Sequence, residues 1–94
     1  MALPLPTVHL NGTSAEDLLQ ELCGAITACA LLIQAMPRPH GRDYPEGSAS
    51  YSLAREAYEG RVRALYTLRE ELEGVAKHVA DAQAQKRAQA LRGV

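Results

Sequence analysis

Between residues 14 and 36 apolar side chains recur every three or four positions: Leu18, Leu19, Leu22, Ile26, Cys29 and Ile33. That spacing paints one face of an α-helix. Ala25, Ala28, Leu31 and Leu32 widen the stripe until little of the second half is polar. A helix apolar nearly all round needs cover on more than one side. Its start is marked twice, by Thr13 with Glu16 and by Ser14 with Asp17, each a hydroxyl followed three residues later by an acid. Glu16, Asp17 and Glu21 sit near the positive end of the helix dipole. Pro37 ends the run, because proline lacks the N–H that the next turn needs.

A longer periodic run begins at Ser48 or Ser50, both acceptable N-caps, and reaches about residue 88. With Tyr51 at position a of a heptad, the a positions are Tyr51, Tyr58, Leu65, Leu72 and Val79. The d positions are Ala54, Arg61, Leu68, Val75 and Ala82. This is a coiled-coil-like seam broken at Arg61. Glu59 and Arg63 are spaced for an i,i+4 ion pair in the favourable order. Gly60 and Gly74 each weaken the helix by up to about 1 kcal/mol and suit a bend or a close helix contact. After Ala82 the stripe fades, and fraying is expected.

The reading is all-α: an extended arm over 1–12, then one helical-hairpin domain over 13–90, with a short helix 14–36 and a long helix 48–88. At 1.5 Å per residue the helices span about 35 and 60 Å. Folded back on the long helix, the short one covers it to about Leu72 or Val75, leaving Val75, Ala76 and Val79 for another chain. Composition strengthens that expectation. The 94 residues include no Phe and no Trp, and much of the 47% hydrophobic content is alanine. Such a core buries little area at about 25 cal/mol per Å², and short chains are short of core in any case. An oligomeric bundle, dimer or higher, is therefore predicted.

Charge narrows the partners. A formal net charge of −1 gives no bulk attraction to nucleic-acid polymers or membranes. Met1 to Pro6 has neither a basic start nor a long apolar run, so a cytoplasmic protein is expected. Cys23 and Cys29 face different directions on one helix and read as small buried hydrophobes in a reducing compartment. Asn11-Gly12-Thr13 fits a glycosylation sequon but reads better as a turn into the helix cap.

Between the helices, Pro37 to Gly47 carries three prolines and two glycines and cannot be helical. It also carries Arg38, His40, Arg42, Asp43, Tyr44 and Glu46, more functional groups than a turn requires. All four tyrosines (Tyr44, Tyr51, Tyr58, Tyr66) and six arginines (Arg38, Arg42, Arg55, Arg61, Arg63, Arg69) fall between residues 38 and 69. Guanidinium groups grip phosphate, and tyrosine rings stack on bases. The start of the long helix adds N–H groups suited to an anion. The blander alternative is a solvated connector with two seam tyrosines. His9, His40 and His78 lack metal-ligand spacing, and no phosphate loop, nucleophile elbow or carboxylate pair is present. No metal, no cofactor and no enzymatic activity are expected. Glu70, Glu71 and Glu73 read as a solvated face, and the Lys86–Arg87…Arg92 tail is too sparse to read nucleic acid.

His-Leu-Asn-Gly-Thr-Ser at 9–14, Leu-Leu at 18–19 and His-Gly-Arg-Asp-Tyr at 40–44 together resemble a family of small phage and prophage proteins. These carry HLNGTS-like and NGRDY-like motifs around alanine-rich helices. The resemblance spans roughly residues 8 to 80, with His40 in place of asparagine and Pro45 in place of a second tyrosine. The hairpin architecture is in turn similar to phage anti-defence sponges, oligomers that sequester immune messengers. The resemblance implies a pocket between antiparallel subunits in an infected host cell. His9, Asn11 and Thr13 would come from one chain, and Arg38, Arg42, Asp43, Tyr44 and Tyr51 from another. Its ligand would be a cyclic nucleotide or a cyclic ADP-ribose-type molecule. The alternative is a helical interaction module that blocks a host or phage protein through apolar residues on 72–82.

Overall fold

The computed structural model describes residues 4–7 and 14–92. It is an all-α helical hairpin: α1 (Ala15–Ala35), a 3-10 turn (Gly41–Asp43) and α2 (Ser50–Arg92). The second of the two cap registers is used. Ser14 is extended, and its hydroxyl accepts the Asp17 N–H at 3.1 Å. At the other end Met36 leaves the helix in an extended conformation, as the residue before a proline must.

The connector folds by local rules. Asp43 and Tyr44 donate their N–H groups to the His40 and Gly41 carbonyls. A second turn follows at Pro45–Ser48, closed by Ser48 N–H on the Pro45 carbonyl, with Gly47 at φ +74°, where a side chain would be strained. The Ser48 hydroxyl then accepts the Ser50 N–H at 3.3 Å, so the helix start is served from outside its first turn.

What differs from the sequence expectation is the register of the hairpin. The connector does not simply reverse; it lies along the opening turns of α2. Arg38 reaches Tyr58, Tyr44 reaches Tyr51, and the Tyr51 ring lies 3.7 Å from where a Gly41 Cβ would stand. α1 is thereby displaced down α2. Val79, expected to overhang, is 0% exposed, and Val75 and Ala76 are half-buried. Among the described residues, Ala15, Cys29 and Val79 are buried. Beside them, Pro6 of the N-terminal arm offers its carbonyl to His78 Nε2 at 2.9 Å.

The seam keeps its a positions and Ala54, Val75 and Ala82 at d, but widens toward e. Val62, Arg69, Ala76 and Gln83, at heptad position e, are half-buried with the a residues, whereas Arg61 and Leu68 at d are exposed. Turning the helix toward e keeps the Arg61 guanidinium in water, and desolvating an unpaired charge would cost more than baring part of a leucine. Arg69 manages burial by lying flat, with its guanidinium carbon 5.1 Å from the Tyr66 centroid and Nε 3.3 Å from Glu73 Oε1. That Nε makes no hydrogen bond, so the contact is ionic. Glu59 pairs with Arg55 at 3.7 Å rather than with Arg63. Glu70, Glu71 and Glu73 are exposed as expected. Built Cβ atoms on Gly60 and Gly74 meet nothing within 4 Å, so neither glycine serves a close contact among the described residues. α2 stays helical to Arg92, beyond the expected fraying point, because Ala, Gln, Lys and Arg favour helix without any packing.

The result is a rod of 74 × 25 × 19 Å with a radius of gyration of 20.3 Å, against roughly 12 Å for a compact chain of this length. It exposes 7382 Å², where a compact monomer of this mass exposes roughly 5,300 Å². Leu31 and Leu32 on α1 are 61% and 49% exposed, and Cys23, expected inside, is also exposed. α1 is long and apolar enough to cross a membrane by length and composition.

Candidate functional site

The connector straps across the opening turns of α2 and makes a cleft on each side. Arg38 and Pro39 line both. One cleft, of about 330 Å³, is completed by Pro37, His40, Asp43, Tyr44, Ala54, Ala57 and Arg61. The other, of about 310 Å³, is completed by Tyr51, Arg55, Tyr58 and Glu59. Both are open to solvent and of small-ligand size.

Aromatic rings and guanidinium groups hold this region together. Arg38 Nε donates to the Tyr58 hydroxyl at 3.1 Å, and its guanidinium carbon stands 5.9 Å from that ring's centroid. Arg55 stands 6.0 Å from the Tyr51 centroid, while Tyr44 and Tyr51 meet at 5.8 Å with their planes tilted by 46°. These are distances at which a cation is attracted to a ring face and at which rings make favourable tilted contacts. Glu59 offsets part of the positive charge through Arg55, and Asp43 does so in the other cleft. The first turn of α2 carries no acidic residue, so its positive end is not neutralised from within.

Of the eight residues singled out in the sequence, four line the clefts. Arg38, Asp43 and Tyr44 line the first cleft, Arg38 and Tyr51 the second. Arg42 is exposed on the 3-10 turn and lines neither cleft. His9, Asn11 and Thr13 lie outside the described residues. Tyr58 and Arg61 were read as seam positions, but both line the clefts. The signal for Tyr58 was its place two helical turns after Tyr51, which points both rings at whatever lies along that face.

Ser14 and Met36 are separated by the length of α1, about 31 Å for its 21 residues. The two motif-bearing ends therefore stand apart within one chain. A separate groove of about 360 Å³ lies between the arm and the far part of α2, lined in part by Leu5, Pro6, His78 and Ala82. Among the described residues no cluster of His, Cys, Asp or Glu is arranged to hold a metal ion. No family model matches the sequence, no curated protein is detectably similar to it, and no solved structure matches its fold.

Proposed function

We propose that this protein is a non-enzymatic binder of an anionic nucleotide. It would act in the cytoplasm of an infected host as a sponge for a cyclic nucleotide or cyclic ADP-ribose-type immune messenger. The observation that carries the reading is the open platform of Arg38, Tyr44, Tyr51 and Tyr58 beside the unneutralised start of α2. Rings held this way present faces to a base, and the nearby guanidinium groups match phosphate. Arg42 projects from the strap without a hydrogen bond or ion pair among the described residues, available to clamp a phosphate over either cleft. His9, Asn11 and Thr13 of a second subunit would complete the pocket in a homo-oligomer. Sequestration needs no bond to break, so no acid, base or nucleophile is assigned.

Incubation with cyclic mono- and dinucleotides and cyclic ADP-ribose, followed by heating and analysis of what is released, tests this. Intact ligand from the wild type and none from Arg42→Ala of equal helicity is the expected result. An altered product would make the protein an enzyme. No uptake by the wild type would favour the second reading, a protein-interaction module. One observation supports that reading: Leu31, Leu32, Leu53 and Leu68 are all exposed. Its contact residues would then be these, and not the covered Val75 and Val79.

A further inference from the structure

We infer that the outer face of α1 joins two copies of this chain in antiparallel fashion, about a two-fold axis near Thr27 and Ala28. Ala15, Leu18, Leu19, Leu22, Ile26, Cys29 and Ile33 are buried or half-buried and form the inner face. Directly opposite, at i, i+4, i+7 and i+11, stand Gly24, Ala28, Leu31 and Ala35, all exposed. From Cys23 to Ala35 this helix carries no charge at all. An uncharged face of this length on a soluble chain marks an interaction surface.

Three features fix the occupant as a second copy. The first is area. The chain exposes 7382 Å², roughly 2,000 Å² beyond a compact monomer, while a standard interface takes about 800 Å² from each partner. The second is shape. Leu31 is 61% exposed, and a Cβ placed on Gly24 meets nothing within 4 Å. With the axis at 27 and 28, Leu31 of each chain falls on the partner's Gly24, a bulky side chain over an empty position, twice. The third is charge. The acids of α1 are confined to its first turns (Glu16, Asp17, Glu21), it has no basic residue, and Arg38 and Arg42 follow it. Antiparallel pairing brings Asp17 toward Arg38 of the other copy; parallel pairing would set acid against acid.

This surface does not depend on any ligand, although it deepens the proposed function. The same pairing brings the start of one α1 beside the strap of the other copy, so that each dimer holds two equivalent junctions.

The test uses the full chain in a Cys23→Ser background, with Ala28→Cys or Leu31→Cys under mild oxidation. Ala28→Cys lies beside the axis and should crosslink to completion. Leu31→Cys is offset from its own copy by about 10 Å along the axis and should crosslink at least tenfold more slowly. Ala28→Glu, read by sedimentation equilibrium with circular dichroism as the fold control, should fall to monomer mass with helicity kept. The proposal is overturned by a monomeric wild type, by an Ala28→Glu protein of wild-type mass, by faster Leu31→Cys crosslinking, or by wild type partitioning into phosphatidylcholine vesicles instead of self-associating. Dimers through α1 that take up no nucleotide uphold this surface and refute the proposed function. Ala28→Glu dimers that still take up nucleotide do the reverse.

Discussion

Val79 is 0% exposed, whereas Leu68, which the heptad pattern places on the same seam, is 44% exposed. The pair therefore tests the hairpin register. Val79→Ala removes two methyl groups from a closed site. At about 0.8 kcal/mol for each buried carbon the transfer loss is near 1.6 kcal/mol, and the space left between α1 and α2 raises the total to about 2 kcal/mol. For a domain of this size that lowers Tm by roughly 8–16 °C. Leu68→Ala removes more carbon, yet from a half-open surface with no wall to leave behind, and should cost under about 1 kcal/mol. Urea unfolding followed by circular dichroism at submicromolar protein, where association contributes least, measures both. A Leu68→Ala loss equal to or greater than that of Val79→Ala would refute the packing described here and restore the overhanging arrangement.

Three further outcomes follow from local contacts. Ser14→Ala deletes the acceptor for the Asp17 N–H and should cost about 1 kcal/mol, while Ser14→Asp should cost almost nothing. Gly74→Ala should stabilise α2 by up to about 1 kcal/mol, since its Cβ meets nothing within 4 Å; a loss of stability would mean that another subunit packs there. The ion pairs Arg55–Glu59, Arg69–Glu73 and Lys77–Asp81 are all i,i+4 with at least one partner more than half exposed. Raising salt to 0.5 M should therefore move Tm by no more than a few degrees, since such pairs are each worth about 0.3–0.5 kcal/mol.

Both helices, the Ser14 cap and the proline-rich break were readable from the sequence, because spacing and capping chemistry act locally. Position along the partner helix was not. Periodicity states which face of α2 is apolar, but not that the connector would occupy Tyr51 to Tyr58 and push α1 toward Val79. That shift depends on Arg38 finding Tyr58 and Tyr44 finding Tyr51, contacts between residues 20 and 7 apart in an irregular stretch. The seam departs from the heptad reading at Leu68 for a related reason. Arg61 and Leu68 fit position d by count, and only the cost of enclosing a guanidinium turns the helix toward Val62. For the candidate site, clustering of Tyr and Arg pointed to the region where the two clefts lie. It did not separate Arg42, which stands clear of the clefts, from Arg61, which lines one.

A lone hairpin with three sequestered side chains among its described residues has little margin against proteases, since net stability is a small remainder even in well-filled domains. Whatever binds the native form adds RT ln(1 + [L]/Kd) to that margin, and a second copy docked on α1, as proposed above, would count as such a binder. Survival in the cell would then be governed by dose. Sparse molecules would be cleared, crowded ones would protect each other, and the rate of synthesis would act as a threshold below which the protein does not accumulate. A Tm that climbs with protein concentration would be the signature of that behaviour.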